Sequence, residues 1–143
     1  PGPVVALTVL LALAAGGCAG GNGVGITTPQ AGLKCVDDSP TCISERQSTL
    51  KALVADPQRS WIKERPDAAA HASGVRLFAF KTKKKELTCA ELQAGRQEAD
   101  AAPASLRATG NGLSPAQISR GVILAGEVGR ELHSEYNRRC RKT

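Results

Sequence analysis

Apolar residues follow two regimes along the chain. From Val4 to Ala15 they form one run of twelve, broken only by Thr8. That is too short for a bilayer span of about 20 residues, and it has the length of a secretory h-region, roughly 7–15 residues. From Cys35 onward, apolar positions recur every three or four residues, the period of amphipathic helices.

The punctuation of that second region places the helices. Ser39-Pro40 supplies an N-cap and a first-turn proline, and Ile43, Gln47, Leu50, Leu53 and Val54 continue at helical spacing. Asp56-Pro57 repeats the signal and predicts a short helix through Trp61, ending by Arg65 ahead of Pro66. Residues 66–73 are expected to be a loop or a frayed turn. Residues 74–87 are ambiguous. Val75, Phe78 and Ala79 suit one helix face capped by Ser73, Phe78 and Phe80 spoil a clean strand alternation, and helix is favoured because no partner strand is visible. Thr88 and Glu91 form a capping box for a helix carrying Leu92, Ala99 and Ala102 to about Pro103, followed by a turn at 109–112. Ser114, Pro115 and Gln117 open the last helix. Its apolar stripe runs Ile118, Val122, Ala125, Gly129, Leu132, Tyr136, Cys140, with Arg120, Glu127, Glu131 and Arg138 opposite. Glu135 and Arg139 form an i,i+4 pair. Gly121, Gly126 and Gly129 lie inside this helix, either for close packing or at a kink. The expected fold class is all-α: a small bundle of four to five helices stapled by two disulfides.

The small residues after the apolar run change the picture. Ala14-Ala15-Gly16-Gly17-Cys18 resembles a bacterial lipobox, in which small residues precede a cysteine that is acylated and becomes the new N-terminus; Ala15 departs from the leucine preferred there. A basic segment is expected upstream of Pro1. The alternative is cleavage after Ala14, where Ala12-Leu13-Ala14 matches the A-x-A preference and would release a soluble secreted inhibitor or accessory subunit. The resemblance implies a signal peptide over 1–17, a glycine-rich tether over 18–34 and a helical domain over 35–143. It also implies an envelope protein held to the membrane by lipid on Cys18 and facing the periplasm. Ala19, where an aspartate would favour the inner membrane, leans to the outer one. Coil statistics give the tether a span of about 20–25 Å.

Cysteine parity agrees with lipidation. Removing Cys18 from the five cysteines leaves Cys35, Cys42, Cys89 and Cys140, an even set able to pair in an oxidising compartment. Four cysteines allow three connectivities. The favoured one joins Cys35 to Cys42 and Cys89 to Cys140, because the helix starting at Cys89 and the helix ending at Cys140 meet at their outer ends if they run antiparallel. No C-x-x-C or histidine pairing points to a metal, and no cofactor is expected.

Net charge is +6, and no charged residue precedes Lys34. A basic exported protein meets anionic lipid headgroups and envelope polymers, and export argues against nucleic acid. Lys81, Lys83, Lys84 and Lys85 form one basic run; Arg138, Arg139 and Arg141 form another beside Cys140. They are candidate anion-binding residues that a Cys89–Cys140 bridge would place at one end of the domain, although such runs are most often a solvated face. His71 and His133 belong to no catalytic signature and are expected to be exposed or locally bonded. No G-x-S-x-G, S-x-x-K or P-loop occurs. From Cys42 to Cys140 the chain resembles small helical envelope proteins of bacteria, which implies no enzymatic activity. The expected partner is a neighbouring envelope protein or an anionic envelope polymer.

Overall fold

Three local signals start the long helices. In the computed structural model, which describes residues 30–141 and the isolated Gly2, Ser39 accepts from the Cys42 amide and opens α1, Pro40–Ala55. Thr88 and Glu91 close a reciprocal capping box at the start of α4, Cys89–Arg107, and Ser114 and Gln117 do the same for α5, Pro115–Cys140. Each box satisfies amide donors that a helix start otherwise leaves unpaired. Between them lie α2, Ala68–Ser73, and α3, Val75–Lys83. The expected signal segment over 1–17, Gly2 apart, the expected lipidation site Cys18 and most of the expected tether lie outside the described residues.

Helices α4 and α5 form an antiparallel hairpin. Cys89 is bonded to Cys140, a Cβ on Gly95 would meet Leu132, Gly129 faces Ala99, and Gly121 faces Leu106; numbers rise along one helix as they fall along the other. Two of these glycines are required by packing. A Cβ on Gly95 would lie 2.6 Å from Phe80 and 2.9 Å from Leu132, and one on Gly121 would lie 2.7 Å from Leu106, closer than atoms tolerate. Because the disulfide aligns one end, the extra length of α5 overhangs the other. There Gln117 donates to the Val36 carbonyl at 3.2 Å and Arg120 meets Asp38 at 2.9 Å.

Helices α2 and α3 lie against the hairpin, and α1 packs on α3. Phe80 is fully buried and stacks edge-on against Trp61 at 4.7 Å between centroids, and the Trp61 indole donates to the Leu53 carbonyl at 3.0 Å. With so few aromatics, this pair anchors a core otherwise built from Leu53, Leu77, Leu87, Leu106 and Leu132. Both expected disulfides are formed, Cys35–Cys42 and Cys89–Cys140.

Several expectations are corrected. The packed domain begins before Cys35: Ala31–Lys34 is a 3-10 turn laid on α1, with the Gly32 amide donating to the Thr49 hydroxyl at 2.9 Å. Asp56-Pro57 opens no helix. The Asp56 carboxylate instead accepts from the Gln58 and Ser60 amides, Arg59 adopts φ 47°, and only a 3-10 turn follows at Ser60–Lys63. Residues 66–73 are not a loop or a frayed turn, since Asp67 caps α2 by accepting from the Ala70 amide. Gly74, not Ser73, sits at the cap of α3, at φ 72°. Phe78 points outward, 43% exposed, while Leu77 and Phe80 fill the core. Helix α4 runs past Pro103 to Arg107, because its far half stays packed on α5 through Leu106.

Candidate functional site

The two basic runs do meet. Arg139 on α5 reaches the end of α3 and donates to the carbonyls of Lys84 at 3.1 Å, Lys85 at 3.0 Å and Leu87 at 2.6 Å. Those carbonyls lie in the turn that follows α3, and a cation there also meets the negative end of the helix dipole. The Cys89–Cys140 bridge lies at the same end.

Most of the cations gathered there are already partnered. Lys81 bonds Glu127 at 2.5 Å and Glu131 at 3.1 Å, Lys84 bonds Glu131, and Lys83 bonds Glu86 at 2.5 Å. Arg138 and Arg139 share Glu135 at 2.5 and 3.3 Å. The Glu127 and Glu131 bonds hold the Lys81 ammonium above its usual pKa, and hydrogen bonds from Lys84 and then Lys81 hold the Glu131 carboxylate below its own. Lys85 and Arg141 make no ion pair among the described residues. Seven named cations against the four carboxylates Glu86, Glu127, Glu131 and Glu135 leave a net charge of +3 at this end. The basic end therefore ties α3 to α5 as much as it faces solvent, and its field is weaker than seven free cations would give.

A second cluster is buried and was not anticipated. The Arg76 guanidinium is 2% exposed and forks onto Glu98, itself 8% exposed, through Nε at 2.8 Å and Nη2 at 2.6 Å. It also donates to the carbonyls of Trp61 at 2.5 Å and Glu64 at 3.0 Å, and lies 5.5 Å from the Trp61 ring centroid. The available signal was an arginine inside the apolar stretch Val75–Phe80, an arrangement that requires a buried partner.

His71 lies beside this pair. It is 3% exposed, and neither ring nitrogen finds a partner, so the expectation of an exposed or locally bonded histidine is wrong. Its neighbours are Glu98 from α4, Arg76 from α3 and Asp67 from its own N-cap. Burial pushes the imidazole below its usual pKa, with Arg76 adding to that push and Glu98 and Asp67 opposing it. The folded protein resists a proton that the unfolded chain accepts near pH 6.5. Stability is therefore full above about pH 6.5 and falls as pH drops through it, levelling once folded His71 also protonates. Replacing His71 by leucine is expected to flatten that slope and to add about 1 kcal/mol at neutral pH by removing unpaired buried nitrogens. Urea midpoints on either side of pH 6.5 check this; an unchanged slope in the variant would assign the acid sensitivity elsewhere. His133 is exposed, as expected.

The described residues contain no group of three His, Cys, Asp or Glu side chains able to hold a metal, and no described helix is long and apolar enough to cross a membrane. No protein-family model, curated protein or solved structure matches the chain.

Proposed function

We propose that the chain is an exported envelope lipoprotein, anchored by acylated Cys18, whose helical domain binds a neighbouring protein or an anionic envelope polymer rather than performing catalysis. The observation that carries this reading is the cysteine pairing. Two bridges consume four of the five cysteines, and no partner within the chain is left over for Cys18. Bridges of this kind persist where thiols are oxidised, which fits a domain outside the cytosol. The small residues before Cys18 supply the acylation context, and the short apolar run supplies the export signal.

Intact-mass measurement of the exported protein tests the anchor. The expected product begins at Cys18, carries lipid and lacks four hydrogens for the two bridges. An unmodified chain beginning at Ala15 would replace this reading with the soluble secreted one.

The anionic-polymer reading draws on the net positive end at Lys81–Lys85 and Arg138–Arg141. Sedimentation with anionic vesicles and with purified cell wall is expected to retain the protein at low salt. Much of it should be released at physiological salt, where exposed charges are screened within about 8 Å. If the protein stays in the supernatant even at low salt, the partner is a protein and not an anionic polymer.

A further inference from the structure

An open groove lies between α4 and α5. Its volume is about 720 Å³, within the range of ligand sites, and its rim is polar. Arg96 and Asp100 reach it from α4, and Arg130, His133 and Ser134 from α5. This rim contrasts with the basic end. There, five of the seven cations pair with a carboxylate. Among the described residues, the side chains of Asp100, Arg130, His133 and Ser134 make no hydrogen bond or ion pair. Arg96 is held in place, its guanidinium 4.8 Å from the Tyr136 ring centroid and one nitrogen donating to Gln93 at 3.1 Å. Among the described residues, the remaining donors of that planar group have no acceptor.

The floor of the groove carries the second observation. Gly126 sits in the middle of α5, where glycine weakens a helix. Gly95 and Gly121 return that cost through close packing, but Gly126 does not: a Cβ there would have only the Arg130 Nη1 atom nearby, at 3.6 Å. Its effect is to leave the helix backbone bare beneath the Arg130 guanidinium. A mid-helix glycine without a packing role, directly under an unpaired cation, marks a place where something else approaches the backbone.

We infer that the α4–α5 groove binds a phosphoryl group, gripped by Arg96 and Arg130, with His133 and Ser134 as further polar contacts. A guanidinium matches the oxygens of a phosphoryl group with two parallel donors, and two of them outweigh the opposing charge of Asp100. This rests on the anionic-partner reading above and moves its chemistry from the basic end to the groove. The phosphoryl group could belong to a lipid headgroup or to a soluble phosphate ester.

The full chain carrying Cys18→Ser, labelled with ¹⁵N, is titrated with sodium pyrophosphate and, separately, with phosphatidylglycerol vesicles. Saturable amide shifts are expected at Gly126, Gly129, Arg130 and His133. Arg130→Gln should weaken binding about tenfold or more, the loss of one charge-assisted contact. Gly126→Leu should remove binding while raising Tm by on the order of 4 °C, since it fills the groove and restores helix propensity. A purely structural Gly126 would not separate those two readouts. Response to pyrophosphate supports a soluble ester, and response to vesicles alone supports a headgroup, provided Arg130→Gln weakens it and Gly126→Leu removes it. Shifts confined to Lys81–Lys85 and Arg138–Arg141, or no shift with either probe, overturn the groove. In that case the anionic-partner reading still stands or falls by the sedimentation result.

Discussion

Replacing Glu98 by alanine is expected to cost about 3–5 kcal/mol, the penalty for removing one partner of a buried ion pair. The reason is the position of Arg76. Its guanidinium is bound by both Glu98 oxygens and by the carbonyls of Trp61 and Glu64, so it cannot swing out to water when the carboxylate is lost. A stranded cation would remain in a core whose total stability is of the order of 5–15 kcal/mol. The consequence reaches beyond one contact, because this pair pins α3 to α4 and holds the Ser60–Lys63 turn that presents Trp61 to Phe80. Glu98→Gln keeps one acceptor and should cost clearly less. Converting both residues to Met and Leu should recover part of the loss, since no charge stays buried, but the two carbonyls would then lack their donor. Urea unfolding of the four proteins separates these cases. A Glu98→Ala variant within about 1 kcal/mol of the parent would mean that water reaches Arg76, and that the pair is not closed in solution.

What the sequence disclosed and what it hid divide along a physical line. Capping is chemistry between residues three apart, so Ser39, Thr88 with Glu91, and Ser114 with Gln117 marked the starts of α1, α4 and α5 correctly. The antiparallel α4–α5 hairpin was legible because a short turn between two amphipathic helices leaves few other arrangements, and it placed Cys89 beside Cys140. Helix α2 was missed because six residues carry no detectable period; Asp67, three residues before Ala70, was the signal for it. The end of α4 was misplaced because Pro103 removes a hydrogen bond locally, while packing along α5 restores the helix over a longer range. Neither Phe78 nor Phe80 has a local reason to face the core, and only the position of Trp61 decides between them.

The candidate sites follow the same division. The meeting of the two basic runs came from disulfide geometry and was foreseeable. Their neutralisation depends on Lys81 finding Glu127 and Glu131 about one helix away across an interface, and a helical wheel of α5 shows only that those glutamates face outward. Arg76 and Glu98 lie 22 residues apart on different helices, so sequence offered each as an anomaly and no rule for joining them. His71 was read from its own neighbours alone, and its burial is set by α2, which was not expected to exist.

Loss of the Cys89–Cys140 bridge is expected to cost about 4 kcal/mol, against about 2 kcal/mol for Cys35–Cys42, on the chain-entropy account of loop closure. The bridges close loops of very different size, with sequence separations of 51 and 7. The larger loop contains almost all of α4 and α5, so its bridge confines the unfolded chain most. Native contacts do not fully replace it. At that end the ion pairs described join α5 to the end of α3, through Lys81 and Lys84 with Glu131, and not to α4, and such partly exposed pairs contribute about 1 kcal/mol or less each. Cys35–Cys42 fastens only the Ala31–Lys34 turn and its link to α1. That turn is also retained by the Gly32–Thr49 hydrogen bond and by Arg46 donating to the carbonyls of Cys35 and Asp37. Paired Cys→Ser variants compared by urea unfolding under oxidising conditions check the order. Cys89→Ser with Cys140→Ser should shift the midpoint about twice as far as the other pair, and the two losses should be nearly additive because the bridges share no contacts. Equal shifts would refute the loop-length account and place the stabilisation in contacts made by the folded state.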